Sequence, residues 1–164
     1  MKLARTLIAL LALAAAPLTH ADTAPAADAR AVVVEDTSPH DFATTVTRLK
    51  NQLAADGWTL LTEIDLGMRV AKKGVTLPGG LVILEMASGG NTIPLLKNEA
   101  TRYVAGLMPC SVSVYGMNDG RVIVSRMNAG LLAGMLEAQV ADTLKASATK
   151  LNESIAQALA KPGV

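Results

Sequence analysis

Two valine-rich runs separated by three residues constrain this chain more than any other feature. Residues 110–117 read Cys-Ser-Val-Ser-Val-Tyr-Gly-Met, residues 121–127 read Arg-Val-Ile-Val-Ser-Arg-Met, and Asn118-Asp119-Gly120 lies between them. Alternating β-branched residues on either side of an Asn/Asp/Gly turn specify a β-hairpin. Strand side chains alternate, so Cys110, Val112 and Val114 share one face while Ser111, Ser113 and Tyr115 share the other. A hairpin with one apolar face is stable only if other elements cover that face.

Apolar spacing identifies the covering elements. Residues 31–35 form a β-branched run and a first strand. Ser38 then reads as a helix cap, Pro39 as the first helical residue and Asp41 as a capping-box acid. Phe42, Val46, Leu49 and Leu53 recur at helical spacing, and Gly57 ends the helix. Residues 58–66 read as a second strand, and residues 67–73 as a short basic helix stopped by Gly74. Residues 81–87 are almost continuously apolar, which predicts a strand buried on both faces or nearly so. A turn at 88–91 leads into a helix over about 92–104, with Pro94 in its first turn. After the hairpin, Asn128 caps a long C-terminal helical region. There Leu144, Ala148, Leu151, Ile155 and Leu159 make one apolar stripe, and Pro162-Gly163 closes it. The order β-α-β-α-β-α-β-β-α predicts a single α+β domain over residues 32–160. Its sheet is mixed or mainly antiparallel, with helices packed largely on one face.

The N-terminus carries a different signal. Lys2 and Arg5 precede an uncharged apolar run over residues 7–16, Pro17 breaks it, and Thr19-His20-Ala21 offers small residues at a peptidase site. This is the pattern of a secretory signal peptide over residues 1–21, cleaved after Ala21. The apolar run falls short of the ~20 residues that span a bilayer, so no membrane association is expected after cleavage. Residues 22–31, rich in Ala, Pro and Asp, read as a flexible leader. The expected location is periplasmic or secreted. Cleavage removes Lys2 and Arg5, so 15 basic residues become 13 against 14 acidic ones and net charge moves from +1 to −1. That balance argues against nucleic acid as a partner. The aromatic residues, Phe42, Trp58, Tyr103 and Tyr115, do not interleave with a basic patch, which removes a base-stacking platform as well. Cys110 is the sole cysteine, so no internal disulfide supports the fold.

The segment from Gly106 to Asn128, with Met108-Pro109-Cys110 ahead of the valine hairpin, resembles the domain of unknown function 302 family in its Met-Pro-Cys branch. The helix over 38–57, Glu63-Ile64-Asp65, Ala71-Lys72-Lys73-Gly74 and Leu84-Glu85-Met86 are similar to that family's other landmarks, and the resemblance covers roughly residues 33–136. It implies a compact α+β domain that pairs into homodimers and has no established activity. Many relatives carry histidine where this chain has Leu66, and some carry a second cysteine where it has Ala87.

Few residues offer chemistry. Cys110 shares the apolar face of its strand, and a reactive thiol there would need a cation, which Arg126 on the paired strand could supply. A nucleophilic site would need a histidine base, and the one left after export, His40, lies at a helix start and reads as exposed to solvent. No complete catalytic set follows. Met108, Cys110, Met117, Met127 and His40 include the soft ligands that Cu(I) prefers, without clustered spacing. One Cys and one His fall short of a zinc site. Gly79-Gly80 and Gly89-Gly90 lack the context of a nucleotide loop, so no cofactor is expected. Glu85 interrupts an apolar strand, and with Asp65, Lys72 and Arg126 it could line a polar pocket at one sheet edge. The leading expectation is a periplasmic module that binds a small ligand between the Met-Pro-Cys strand, Glu85 and Arg126. A thiol-dependent redox or sulfur-transfer protein using Cys110, and a copper carrier, are the alternatives.

Overall fold

The computed structural model of the protein describes residues 32–160. The expected signal peptide and leader, Ala31 of the expected first strand and the closing Pro162-Gly163 lie outside the described residues. The hairpin sits near the middle of the sheet. Strand β4 (Cys110–Gly116) pairs with β5 (Val122–Met127) in the register Val112↔Arg126, Ser113↔Ser125, Val114↔Val124. Gly120 closes its turn with φ 86°, a left-handed conformation that glycine adopts without strain. The remaining strands are β1 (Val33–Ser38), β2 (Thr59–Asp65) and β3 (Leu81–Ala87). Their order is β1-β5-β4-β3-β2 and every neighbour is antiparallel, so the sheet is wholly antiparallel.

One face of this sheet carries the core. Val82, Leu84, Met86, Val112, Val114, Val122 and Val124 are buried there against α1 (Phe42–Ala55) and α5 (Ala138–Leu159). The spacing of Val46, Leu49 and Leu53 turns one stripe of α1 to the sheet, and Leu151 and Ile155 do the same for α5. Full burial of such a side chain contributes roughly 1.5–3 kcal/mol, which makes this cluster the main source of stability in a domain with so few aromatic residues. The two helices are also tied directly: Arg48 donates from Nε to the Ala158 carbonyl (2.7 Å) and from Nη2 to that of Ala160 (2.8 Å). These bonds place a cation at the C-terminus of α5, where the helix dipole favours it.

Several boundaries differ from the sequence expectation. The first strand extends to Ser38, which pairs with Val122 and bonds its hydroxyl to Thr45 (2.7 Å), so Ser38 is not the cap. Asp41 caps instead, accepting from the Thr44 amide and hydroxyl at 2.8 Å each. Strand β3 is not buried on both faces. Val82, Leu84 and Met86 are, while Leu81, Ile83, Glu85 and Ala87 are half-buried on the face without helices. The expected helix over 92–104 begins earlier and breaks: α3 (Gly89–Lys97) follows Ser88, and a 3₁₀ segment (Glu99–Leu107) follows Asn98. Asn98 is extended, its side chain caps the Ala100 amide (3.0 Å), and the Thr101 hydroxyl takes the Leu95 carbonyl (2.7 Å). These side-chain bonds replace the helical ladder at the break. The C-terminal helical region is likewise two helices, α4 (Ala129–Ala133), capped by Asn128, and α5, with a turn between them.

The break after α3 creates a second, smaller core. Leu95 and Val104 bury against Val140 at the start of α5, with Met108 and Leu136 packed beside them. The α3 and 3₁₀ segments thus form a cap over one end of the sheet. The basic helix is α2 (Leu66–Ala71), at the opposite end of β2.

Candidate functional site

The main core and the cap do not close completely on each other. Between them lies a cavity of about 310 Å³, with Trp58, Met86 and Cys110 on the sheet side, Leu95 and Val104 on the cap side, and Leu144 on α5. A second cavity of about 220 Å³ adjoins it, lined by Val34, Arg126, Asn128, Lys145, Ala148 and Asn152 among others. Leu107, Cys110, Leu144 and Ser147 line both. The α5 stripe explains their position. Its C-terminal half buries Leu151 and Ile155 in the main core, while Leu144 and Ala148, earlier in the same stripe, face the two cavities.

The structure brings together two of the five predicted pocket residues. Cys110 pairs with Met86 at the end of β4 and is half-buried, and Arg126 lines the second cavity beside it. Glu85 lies on the opposite face of the sheet, between Thr62 and Ser111, because it alternates with Leu84 and Met86. Asp65 caps α2 through the Met68 amide (2.6 Å), and Lys72 is exposed at the other end of that helix. The pocket expected around Glu85, Asp65, Lys72 and Arg126 is therefore split over three places.

Arg126, the cation that could have activated Cys110, is engaged elsewhere. Its Nη1 donates to Asp36 Oδ2 (2.5 Å) and its Nε to Asn152 Oδ1 (2.6 Å), and the side chain is 8% exposed. Burial alone pushes the Cys110 thiol above the usual range, so the neutral thiol is held at neutral pH. Iodoacetamide at pH 8 is expected to modify Cys110 much more slowly in the folded protein than in urea. Equal rates would show an accessible thiolate. The raised pKa also carries a stability term, present below the unfolded thiol value of about 8.5 and lost as pH rises through the folded one.

The soft-ligand set is divided too. Met108 and Cys110 line the first cavity, Met127 lines the second, and Met117 is exposed at the hairpin turn. His40 borders neither cavity and is half-buried, with its amide on the Ser38 hydroxyl (3.1 Å) and a buried Nε2 that has no partner among the described residues. It is therefore not the exposed first-turn residue expected, since the helix starts after it. Among the described residues, no group of three or more His, Cys, Asp or Glu is placed to hold a metal ion, and no helix is long and apolar enough to cross a membrane.

Trp58, Met86, Leu95 and Leu144 were not singled out from the sequence as site residues. The only available signal was Trp58, the one tryptophan, directly after a helix-ending glycine. It is 4% exposed, with Lys150 Nζ 5.7 Å from its ring centroid.

Comparison with known proteins places this arrangement in context. A family model described as "Domain of unknown function DUF302" matches residues 34–162. Among solved structures, the crystal structure of an uncharacterized conserved protein DUF302 from Bacillus stearothermophilus aligns with a TM-score of 0.70 at 18% sequence identity. The alignment covers 79% of this chain and 98% of that one. At that identity the likeness carries the fold. No curated protein matches the chain.

Proposed function

The chain belongs to the DUF302 family, and from that premise we propose that it is an exported binding module holding a small, largely apolar molecule beneath the cap formed by α3 and the 3₁₀ segment. The cavity of about 310 Å³ carries this reading. It opens to solvent on one side and on the other adjoins a core whose central side chains have no exposed surface. An apolar cavity of roughly 150 Å³ is already enough to bind benzene. The present volume falls within the ~300–1,000 Å³ of small-molecule sites, and no charged residue lines it. Leu61, Ala105 and Leu107, all exposed, mark its rim.

Export is supported by the basic, apolar and small-residue pattern of residues 1–21, and pairing by the family resemblance. One experiment addresses the whole reading: native mass spectrometry of the protein recovered from the periplasm of a bacterial host that expresses the full chain. The expected spectrum is a dimer of chains beginning at Asp22, carrying a small-molecule adduct released on denaturation. Retention of residues 1–21 would sink export, and a monomer would sink pairing. A bare mass with no thermal shift across a panel of apolar metabolites would sink ligand binding.

A further inference from the structure

We propose that the bound molecule is an amphipathic anion, with its apolar body in the first cavity and a carboxylate-type head in the second, against Arg126. This rests on the binding reading above and assigns the chemical class of its ligand. The two cavities differ in polarity in the way such a molecule requires. No charged side chain lines the first; Arg126 and Lys145 are the charged residues lining the second, Arg126 being paired with Asp36 from outside that lining. The wall between them consists of residues common to both, of which Leu107, Cys110 and Leu144 are apolar and movable by rotamer change.

Arg126 is built as a recognition group. Its guanidinium is fixed on two sides, by Asp36 through Nη1 and by Asn152 through Nε. The remaining nitrogen, Nη2, has no hydrogen-bond partner among the described residues and is not one of their buried unpaired atoms, so it keeps accessible surface. A planar donor held in place with one nitrogen, Nη2, left to donate suits a single oxyanion contact, and charge-assisted bonds of this kind are the strong ones. Lys145, exposed on α5 at the margin of the same cavity, adds a second positive charge. At the shared wall, the Ser147 hydroxyl accepts from Asn91 Nδ2 (2.7 Å) and retains its own proton for a ligand oxygen. A neutral hydroxyl head would accept only the weaker bond of an uncharged acceptor from Nη2, and a cationic head would be repelled.

The test is a head-group series with a constant tail, measured by titration calorimetry on the cleaved protein. Octanoate is expected to bind at least tenfold more tightly than octanol, and octylamine more weakly than either. Lys145→Glu, a surface change, is expected to weaken octanoate severalfold and leave octanol unchanged. Arg126→Lys, which keeps a cation and loses the planar fork, is expected to do the same to a greater extent. Octanol binding as tightly as octanoate would overturn the head-group assignment and leave the cavity reading standing. Failure of the entire series to bind would overturn both.

Discussion

Leu144→Trp is expected to abolish ligand uptake while leaving the protein folded. Leu144 is half-buried and lines both cavities, so a larger side chain there has empty space to enter. Inserting bulk into a well-packed core typically costs about 1–3 kcal/mol. Here the indole fills a void and regains dispersion contacts, so the net stability change should stay within about 1 kcal/mol. A ligand, by contrast, loses the apolar surface it would have buried, at roughly 25 cal/mol per Å². A hundredfold loss of affinity is about 2.7 kcal/mol, or ~110 Å² of lost contact at that coefficient, which one indole can displace. The adduct should vanish from the native mass spectrum while the melting temperature holds. A tryptophan variant that still carries the adduct would place the ligand elsewhere.

Leu49→Ala is expected to have the largest effect on stability, a loss of about 3 kcal/mol within the usual 2–5 kcal/mol for such truncations. Leu49 has 0% exposure, in the middle of the α1 stripe that meets the sheet and α5. Against a total of about 5–15 kcal/mol, that loss is a fifth or more of the fold's margin. With an unfolding entropy of roughly 2.1 cal/mol/K per residue, the melting temperature should fall by on the order of 10 °C. Urea titration should show a lower midpoint with an unchanged slope. Leu61→Ala is the control, because Leu61 is 57% exposed and its truncation should change stability little. Equal losses at the two positions would refute the placement of the core.

The sheet was legible because its information is local. Val112 and Val114 alternate with serines, Asn118-Asp119-Gly120 supplies the turn, and the family likeness fixes the same segment. The α1 and α5 stripes were legible for the same reason, since a period of three and four needs no knowledge of the partner. Asp41 against Ser38 was harder. Both can cap, and the choice fell to Asp41 once Ser38 was drawn into pairing with Val122, more than eighty positions away. The break at Asn98 depends on Thr101 taking the Leu95 carbonyl, a side-chain competition that apolar spacing does not register. The cavities are the least local feature. They arise because Leu144 and Ala148 continue a core stripe past the end of the sheet, where the cap rather than a strand faces them. Cys110 was placed on the correct face by alternation, whereas Glu85 was grouped with residues that the same alternation puts elsewhere. Parity, applied to β3 as it was to β4, would have separated them.

The order of the strands has a consequence for when this protein can fold. Among the described residues, strand β1 lies at one edge of the sheet and pairs only with β5. Its ion pair from Asp36 to Arg126 spans 90 residues, and the bonds from Arg48 to the end of α5 span 110 and 112. The segments made first are therefore held by the segments made last, and loop closure across such separations must precede any gain from the contacts. A nascent chain that has not yet released α5 has only α1 to cover the valine face of its hairpin, and lacks the carbonyls that hold Arg48. The export proposed above would require a polypeptide that stays extended until its tail has passed, and contacts of such long sequence separation favour that delay through the connectivity of the chain itself.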